Sequence, residues 1–463
     1  MTHDNDTTAE SNNTQISRRH LLGAGGATFA TGIAGCAGLT GGGAGDSSSN
    51  DNSSSGSGSS GDVEINYWLY FGAQENEEMM TLVEEFNSQD NGIHVNTQSV
   101  PFGEFLNKLF TSVNAGEAPH VASYYGSFGR HLKPITDPID DYLSEGAANE
   151  YFDIAWENMQ VDGRPYALPI DVHGKALYTN DSVLESAGVE PDFTDWEGFS
   201  NTCDTIVSET DSRAFSFLNW DSPQAAFRTY SIALTQAGGE FLTGEPGNYE
   251  VTFDDDIGLE TGQLMADITG DFGWDVPQFQ SESARVEDFI GGDLAMFIAG
   301  TWSINNFENE DGEIPESLDF SFEKPFMFPG DGKEVAWAES NSLYFPTNEN
   351  HTETEKQAAV EFAEYVTQNN TLWASAGGHL PAAESVATSE EVQSTPLWEE
   401  HGTISSMYEM VKEGQVRYQP QTPINLNSNQ YWSPLMDLYQ HNTDPKSAIE
   451  QSASALQRAL DSN

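Results

Sequence analysis

The sequence predicts an α/β fold organised as two lobes, and two observations lead to this prediction. Segments with strand-like and helix-like patterns alternate from residue 63 onward, as they do in proteins whose mostly parallel sheets are covered by helices. The chain has 463 residues, which is longer than a single hydrophobic core usually supports. We therefore expect two lobes.

The first four elements are predicted from the spacing of their apolar residues. Residues 63–70 are β-prone, and residues 93–97 alternate apolar and polar side chains, so both segments are expected to be strands. Apolar residues recur at helical spacing over 79–86, and a second helical stretch covers 105–113. Strand, helix, strand and helix in this order favour parallel pairing of the strands.

Three later helices are predicted from residues that favour a helix start. Thr194 with Glu197, and Thr352 with Glu355, fit the capping-box pattern, in which two side chains bond the first backbone N–H groups. Asp444 is followed by a proline, which fits an N-cap before the first helical position. We expect helices to begin at these three places.

The first 62 residues predict an export signal and a tether. Arg18 and Arg19 precede a weakly apolar stretch, which is the twin-arginine export pattern. The stretch ends at Ile-Ala-Gly-Cys36, which resembles the lipobox of lipoproteins, in which the cysteine becomes the lipid-bearing N-terminus. Residues 1–35 are therefore expected to be a signal peptide, and residues 36–62, rich in Gly, Ser, Asn and Asp, a disordered tether. The expected location is the extracellular face of the cell membrane, with Cys36 as the lipid anchor.

The chain is strongly acidic, with 74 acidic and 17 basic residues and a net charge of −57. Such a chain repels itself in dilute buffer, but at molar salt the Debye length falls to about 3 Å and the repulsion is screened. The composition resembles that of proteins from salt-loving archaea. It argues against nucleic-acid binding and disfavours anionic ligands.

Catalytic and metal-binding patterns are absent from the sequence, so no cofactor, metal site or catalytic residue is predicted. There is no Gly-x-Ser-x-Gly elbow, P-loop, His-Glu-x-x-His or Cys-x-x-Cys, and the ten histidines show no metal-ligand spacing. No apolar run after the signal approaches the roughly 20 residues of a spanning helix. If Cys36 carries lipid, Cys203 has no disulfide partner and is expected to be a small packed side chain.

Five segments match a known family in their order and spacing. They are DGRPYALP at 162–169, ALYTN at 176–180, DWEGF at 195–199, FIGGDLAM followed by GTW at 289–302, and GHLPA at 378–382. Together they resemble the extracellular solute-binding protein family 1, the receptors of ABC importers for sugars, which include maltose-binding protein. The resemblance covers the whole region after the tether.

The resemblance implies a two-lobed periplasmic-binding-protein-like fold of type II, known as a Venus flytrap. Each lobe is then a mixed, mostly parallel sheet flanked by helices, and crossing hinge segments join the lobes. The first lobe is expected to comprise residues 63–170 and 340–385, and the second residues 171–339 and 386–463. A ligand would bind in the cleft, and hinge closure would bury it.

Candidate ligand-binding residues are those that the resemblance places at this cleft. A sugar offers flat C–H faces, which suit aromatic rings, and hydroxyl groups, which suit planar polar side chains. The candidates are Tyr70, Phe71, Tyr124, Tyr125, Asp171, His173, Trp220, Trp302, Glu339, Ser340 and Trp432.

The sequence departs from the family at two places. His120 stands where relatives usually have an aspartate, and the segment 337–342 replaces a Gly-rich strand. Because the second segment lies near the expected cleft, a particular sugar cannot be carried over from a relative.

The resemblance implies a monomeric, lipid-anchored receptor that binds a sugar or oligosaccharide and delivers it to the transmembrane subunits of an ABC permease. Two alternatives stay open. The same fold could bind a non-sugar solute such as a compatible osmolyte, a quaternary ammonium compound or another cation, since aromatic rings also cage quaternary ammonium groups. A secreted glycoside hydrolase would need two carboxylates flanking the scissile bond, and no hydrolase motif supports one.

We expect the folded region to lose near-ultraviolet circular dichroism on dialysis below about 0.5 M salt, because the Debye length then grows and repulsion among acidic side chains returns. Spectra recorded across a salt series measure this. A spectrum that does not change would contradict the halophilic interpretation.

Overall fold

The alternation of strands and helices predicted from residue 63 onward is confirmed by the computed structural model of the protein. The structure describes residues 62–217, 222–277, 281–308, 314–315, 317–325, 327–330, 332–375 and 377–463. The predicted signal peptide, residues 36–61 of the predicted tether with Cys36, and the candidate Trp220 lie outside the described residues.

Seventeen α-helices lie within the described residues. They are α1 Ala73–Asn87, α2 Phe102–Ala115, α3 Gly129–Leu132, α4 Asp153–Asn158, α5 Asp181–Ala187, α6 Trp196–Glu209, α7 Pro223–Gln236, α8 Asp256–Thr269, α9 Glu282–Gly291, α10 Glu353–Gln368, α11 Thr371–Ser375, α12 Glu384–Ala387, α13 Glu390–Gln393, α14 Pro396–Glu399, α15 Thr403–Lys412, α16 Asn429–Tyr439 and α17 Pro445–Asp461. Four short 3-10 helices are Gly126–Phe128, Lys133–Ile135, Ala147–Glu150 and Thr301–Phe307.

Sixteen strands lie within the same part of the chain. They are β1 Val63–Leu69, β2 Ile93–Ser99, β3 Val121–Tyr125, β4 Gln160–Val161, β5 Arg164–Pro165, β6 Ala167–Pro169, β7 Asp171–Asn180, β8 Arg213–Phe217, β9 Leu242–Glu245, β10 Asn248–Val251, β11 Leu294–Gly300, β12 Phe320–Glu323, β13 Ala336–Glu339, β14 Asn341–Tyr344, β15 Leu380–Pro381 and β16 Val416–Tyr418.

The first of the two main sheets has five strands in the order β2-β1-β3-β14-β6. β1 pairs in parallel with β2 and with β3, which confirms the predicted pairing at the start of the fold. β14 returns from far along the chain and runs antiparallel to both β3 and β6. The sheet is therefore mixed, and a distant segment completes it.

The second main sheet has the order β16-β13-β7-β11-β8, and β12 and β15 also pair with β7. β7 is the organising strand, because it pairs with four others and all ten of its residues are buried. A strand covered on both faces in this way carries apolar residues on both sides. The polar residues that β7 does contain, described below, are therefore exceptions that need partners.

The predicted helix starts are confirmed at two places and corrected at the third. The Thr352 hydroxyl and the Glu355 side chain form a reciprocal capping box at α10, and Asp444 caps α17. At α6 the N-cap is Asp195, whose carboxylate accepts from the backbone N–H of Gly198 at 2.9 Å. Thr194 instead donates to Asp192 in the preceding turn, so the cap lies one residue later than the pattern predicted.

Helices pack against each sheet and bury the core. α10 packs against β1 and β6 of the first sheet, whereas α7 packs against β13 of the second and also contacts α8 and α16. Cys203 is free and fully buried among apolar residues of α6, which confirms its predicted packing role. Within the described residues, none of the helices has the length and apolar character needed to cross a bilayer.

Replacing Asp195 with Ala should lower the free energy of unfolding by about 1 kcal/mol, because one backbone N–H at the start of α6 loses its acceptor. Denaturant unfolding at high salt measures the change. Asp195→Asn is the matched control, since it removes the same charge and keeps a capping oxygen, and it should retain the stability. Equal stability of all three proteins would contradict the corrected cap.

Candidate functional site

The chain passes between the two sheets at two places that lie side by side. Ile170 alone separates β6 from β7, and Ser340 alone separates β13 from β14. The backbone N–H of Ile170 donates to the carbonyl of Asn341 at 2.8 Å, which ties the two passages together. Polar side chains at the passages, among them Asp171 and Glu339, are fully buried. Four sequence-predicted residues, Asp171, His173, Glu339 and Ser340, therefore meet here.

Asp171 lies at the centre of a hydrogen-bonded cluster. Its Oδ1 accepts from His173 Nδ1 at 2.8 Å and from the backbone N–H of Asn341 at 2.9 Å. Its Oδ2 accepts from Asn341 Nδ2 at 2.7 Å, from His379 Nδ1 at 2.9 Å and from Trp373 Nε1 at 2.5 Å. Burial alone would raise the pKa of Asp171, but the two imidazoles lower it well below its usual range. We call Asp171 with these four partners the Asp171 cluster.

The two imidazoles of the cluster differ in charge. Burial lowers the pKa of His379, but Asp171 and Glu75 oppose it and raise the pKa to about 10. His379 Nε2 lies 3.4 Å from Glu75 Oε1. Burial lowers the pKa of His173 and outweighs the opposing effect of Asp171. At neutral pH His379 is therefore the cation of the cluster and His173 is neutral.

Among the described residues, one group of side chains brings three possible metal-ligand atoms within 4.8 Å of one another. The group consists of Asp171, His173 and His379. Both imidazoles direct Nδ1 at the Asp171 carboxylate, and the side-chain N–H groups of Asn341 and Trp373 donate to the same carboxylate. A metal between these atoms would have to displace N–H donors that are fixed by the fold. The donor set fits a hydrogen-bonded cluster, and we derive no metal chemistry from it.

Glu339 has its own set of donors. Its Oε1 accepts from the backbone N–H groups of Ser127 at 3.1 Å and Ser340 at 3.0 Å, and the Ser127 hydroxyl donates to Oε2. Gln419 Nε2 in turn donates to that hydroxyl at 2.6 Å. Burial raises the pKa of Glu339 to about 7, and these hydrogen bonds oppose the shift only in part. The Ser340 hydroxyl shares a hydrogen bond with Tyr418 at 2.8 Å.

Trp302 lies beside the Asp171 cluster because Gly300 makes room for it. A Cβ at Gly300 would lie 2.4 Å from the indole, so the ring rests directly on the end of β11. The Trp302 ring is half-buried, with its centroid 5.3 Å from that of His173 and 6.5 Å from that of Trp337. It therefore offers a partly open aromatic surface next to the Asp171 cluster, and its role as a ligand contact stays a prediction.

Tyr70 and Tyr125 provide the opposite aromatic wall. Both rings are half-buried and lie 5.8 Å apart, and Tyr125 is 6.3 Å from His173. The Tyr70 hydroxyl donates to Asn341 Oδ1 at 2.6 Å, which links it to the Asp171 cluster. Phe102, 41% exposed and 5.3 Å from Tyr70, extends the wall outward and was not anticipated from sequence. Rings contributed by both sheets thus lie around the buried polar groups of the Asp171 cluster.

Three predicted ligand contacts, Tyr124, Phe71 and Trp432, lie in the hydrophobic core instead. Tyr124 is 4% exposed and packs edge-on against Phe128 at 4.9 Å, because neighbouring residues of a strand point to opposite faces and Tyr125 takes the open one. Phe71 packs against Trp373 at 4.9 Å. The structure therefore does not place these two rings on the open surface of the cleft.

Trp432 is the clearest correction. It is fully buried in the core of the second sheet, and its ring stacks on Phe227 at 4.1 Å. Its indole N–H donates to the carbonyl of Leu426 at 2.6 Å. Both the ring face and the polar atom are therefore occupied within the fold, so Trp432 supports the cleft wall without lining it.

Sequence reasoning missed several site residues, and Arg228 is the most informative of them. Arg228 lies on α7, with its guanidinium carbon 4.2 Å from the ring centre of Trp337 and 5.5 Å from that of Tyr125. It thereby joins β13 of the second sheet to β3 of the first. One signal was present in the sequence: a chain with only 17 basic residues places an arginine inside an apolar helix. Lys175 gives a similar signal, because it is one of the few basic residues and directly precedes the ALYTN segment of β7.

Comparison with known proteins gives the family. A family model described as bacterial extracellular solute-binding protein matches residues 81–400, which is most of the chain. An arabinooligosaccharide-binding protein of Bacillus subtilis is 26% identical over 219 residues, or 46% of this chain and 48% of that protein. A putative binding protein of Brucella abortus is 28% identical over 117 residues, or 24% of this chain and 28% of that protein. The chain thus spans at most about half the length of these curated relatives.

A solved structure gives the fold. The cyclic alpha-maltosyl-1,6-maltose binding protein from Arthrobacter globiformis superimposes with a TM-score of 0.71 at 20% identity, over 87% of this chain and 100% of that one. At this identity the likeness establishes the two-lobed fold, and the predicted architecture is confirmed. With the match of the family model over most of its length, the chain belongs to the bacterial extracellular solute-binding proteins.

Proposed function

We propose that this protein is the extracellular receptor of an ABC importer, which binds a sugar or oligosaccharide between its two lobes and delivers it to the permease. One observation carries the proposal: half-buried rings of Tyr70 and Tyr125 from the first sheet and of Trp302 from the second lie around the buried polar groups of the Asp171 cluster. The relatives named above, which bind an arabinooligosaccharide and a cyclic maltosyl-maltose, support a carbohydrate ligand.

The chemistry of the cleft suits a carbohydrate. Each stacked aromatic contributes about 0.5–1.5 kcal/mol beyond the area it buries, and the hydroxyl groups of a sugar can pair with polar atoms at the floor. Micromolar affinity requires about 8 kcal/mol in total, so water must be excluded by closure of the lobes. Ligand then favours the closed state, which is the form that a permease would recognise.

The carboxylates of the cleft support binding rather than hydrolysis. A glycoside hydrolase needs one carboxylic acid and one carboxylate free to act on opposite sides of a bond. Both oxygens of Asp171 accept from protein N–H groups, and both oxygens of Glu339 accept from Ser127. These two side chains hold the chain passages in place, and neither is poised to transfer a proton to a substrate.

A cationic osmolyte is disfavoured by the basic residues of the cleft. The aromatic rings alone would suit a quaternary ammonium group. However, Trp337 and Tyr125 already face the guanidinium of Arg228, and Lys175 is buried nearby. A second cation placed here would be repelled, because like charges within a few ångströms interact strongly in a buried site.

We propose that the lobes divide at the two single-residue passages, with residues 63–170 and 340–385 in the first lobe and residues 171–339 and 386–463 in the second. The packing of α10 against β1 and of α15 against β7 and β12 supports this division, and β15, near the end of the 340–385 segment, pairs with β7 across it. Because one chain supplies both walls of the cleft, a monomer is sufficient for binding.

We also propose twin-arginine export and lipid anchoring at Cys36, in an organism that lives at high salt. The support is the sequence itself, with Arg18 and Arg19 before the apolar stretch, the Ile-Ala-Gly-Cys motif and the net charge of −57. An extracellular or periplasmic location agrees with the family.

Replacing Trp302 with Ala should weaken oligosaccharide binding at least tenfold, because a stacking surface on the second-sheet side of the cleft is lost. Calorimetry at molar salt, with arabino-, malto- and uronic-acid oligosaccharides as probes, measures the affinity. Trp398→Ala is the matched control: Trp398 is also half-buried but packs against Tyr408 on α15. Unchanged affinity in Trp302→Ala would remove this ring from the site, and no binding of any probe would overturn the proposed function.

Replacing Cys36 with Ser should release the exported protein from the membrane fraction, because the lipid acceptor is lost. Fractionation and mass spectrometry of the N-terminus measure this. Cys203→Ala is the control, since Cys203 is buried and should not affect anchoring. Retention of Cys36→Ser in the membrane at the level of the unaltered protein would contradict the anchor.

A further inference from the structure

Two basic side chains are buried near the Asp171 cluster of this very acidic protein, and among the described residues neither forms an ion pair with a carboxylate. Arg228 is 7% exposed and Lys175 is 1% exposed. Burying an unpaired charge is expensive, so a fold that keeps two of them requires an explanation.

Arg228 hydrogen-bonds the Tyr125 side chain, and two further donors of its guanidinium have no acceptor among the described residues. Its Nε and Nη2 atoms are buried and have no hydrogen-bond partner in the described part of the chain. The Trp337 and Tyr125 rings lie near its guanidinium, at 4.2 and 5.5 Å from the guanidinium carbon. Nε and Nη2 lie on one edge of the planar group, which is the pair of donors that a bidentate acceptor such as a carboxylate engages. The Trp337 indole Nε1 is a further buried donor without a partner.

Elsewhere the chain pairs its buried arginines. Arg285 is 1% exposed and donates to Asp275 at 2.8 Å. Arg213, which is partly buried, donates to the same Asp275 at 3.0 Å and also contacts Asp288. With 74 acidic residues available, the lack of a carboxylate beside Arg228 is not explained by composition.

Lys175 increases the positive charge of the same region. It lies on β7, two residues beyond His173 and on the same face of the strand. Its Nζ donates to Thr229 Oγ1 on α7 at 3.4 Å, which is longer than the usual limit of about 3.2 Å for such a bond. Burial, and then the charge of Arg228, lower the pKa of Lys175 to about 7. Lys175 and Arg228 therefore interact, and a negative charge between them would stabilise both.

Among the described residues, the neighbouring carboxylates act on the two cations only through their charge, since the charge of Glu282 opposes the lowering of the Lys175 pKa and Arg228 lowers the pKa of Glu339. Glu339 accepts from Ser127 and Ser340, Asp171 is paired with the His379 cation, and Glu282 accepts from Ser303 and Asn306. The donors of Arg228 are thus in excess of the acceptors that the described residues bring to the cleft. A neutral sugar hydroxyl could accept one of them, but it would leave the charge uncompensated.

We propose that the ligand is an acidic carbohydrate whose anionic group is held by Arg228 and Lys175, with the carboxylate of a uronic acid as the best-fitting group. This inference rests on the proposed function and specifies its substrate class. It reverses the expectation from composition, which disfavours anionic ligands, because the two buried cations act at short range while the acidic surface is screened by salt.

The test compares acidic probes with neutral ones of the same shape. Trigalacturonate and its methyl ester, glucuronate- and mannuronate-containing oligosaccharides with their neutral parents, and a sugar sulfate with its unsulfated form are titrated by calorimetry at 2–3 M salt, that is, with a Debye length of about 2–3 Å. We expect an acidic probe to bind at least tenfold more tightly than its neutral counterpart. Preference for the sulfate over every uronate would overturn the assignment to a carboxylate.

Arg228→Gln removes the charge and should weaken binding of an acidic probe at least tenfold more than binding of its neutral counterpart. Arg458→Gln, on the exposed face of α17, is the control with the same charge change and should keep the full preference. Without ligand, Arg228→Gln should melt at or above the temperature of the unaltered protein, since an uncompensated buried charge is removed. Lys175→Met provides an independent second variant with the same expected loss.

Two results would overturn the inference and are distinguishable from failure of the proposed function. If neutral probes bind as tightly as acidic ones, or if Arg228→Gln weakens both kinds equally, the protein is still a sugar receptor but the charge has no role in specificity. If none of the probes binds, both the inference and the proposed function fail. A lower melting temperature of Arg228→Gln with an unchanged preference would mean that Arg228 only braces the two sheets.

Discussion

The structure depends on the hydrogen bonding of one buried carboxylate. Asp171 begins β7, the strand that organises the second sheet, and it accepts from groups that belong to four separate segments: β7 itself, β14 of the first sheet, α11 and the loop before β15. A carboxylate in this environment is stable only when its lone pairs are matched by donors. The same bonds therefore neutralise a buried charge, fix the two passages of the chain side by side and orient the imidazole next to Trp302.

The local elements could be predicted from sequence because their signals are local. A β-prone run identified β1, alternating apolar residues identified β2, and the caps of α10 and α17 followed from short-range hydrogen bonds. The cap of α6 was misplaced by one residue because Thr194 and Asp195 both suit the position, and only the backbone geometry distinguishes them. Three candidate aromatics failed for a related reason: the type and spacing of a ring do not say which face of its element is open. Tyr124 and Tyr125 are neighbours in β3, yet the Tyr124 side chain is buried whereas that of Tyr125 is half-buried.

The polar part of the site was harder to predict, because it is assembled from distant segments. Asp171 and Glu339 were identified from their place near the crossings, but their partners Asn341, His379, Ser127 and Gln419 come from elsewhere in the chain and carry no pattern of their own. Arg228 was missed because one cation weighs little against a net charge of −57. Composition describes the surface, where most of the acidic residues lie, whereas the character of a cleft is set by the few side chains that the fold buries.

The paired passages at Ile170 and Ser340 bear on how the proposed receptor would close. Two neighbouring pivots would define a single axis, about which the proposed lobes would swing without sliding past each other. Groups on the axis would keep their surroundings throughout such a swing, and this applies to the bonds that the backbone N–H groups of Asn341 and Ser340 donate to Asp171 and Glu339. Contacts that join different halves away from it, such as that of Arg228 with Tyr125, separate as the halves part. The interior would thus have two parts: hydrogen bonds at the passages that stay unchanged, and a ligand-contacting surface that is complete only when the two lobes close.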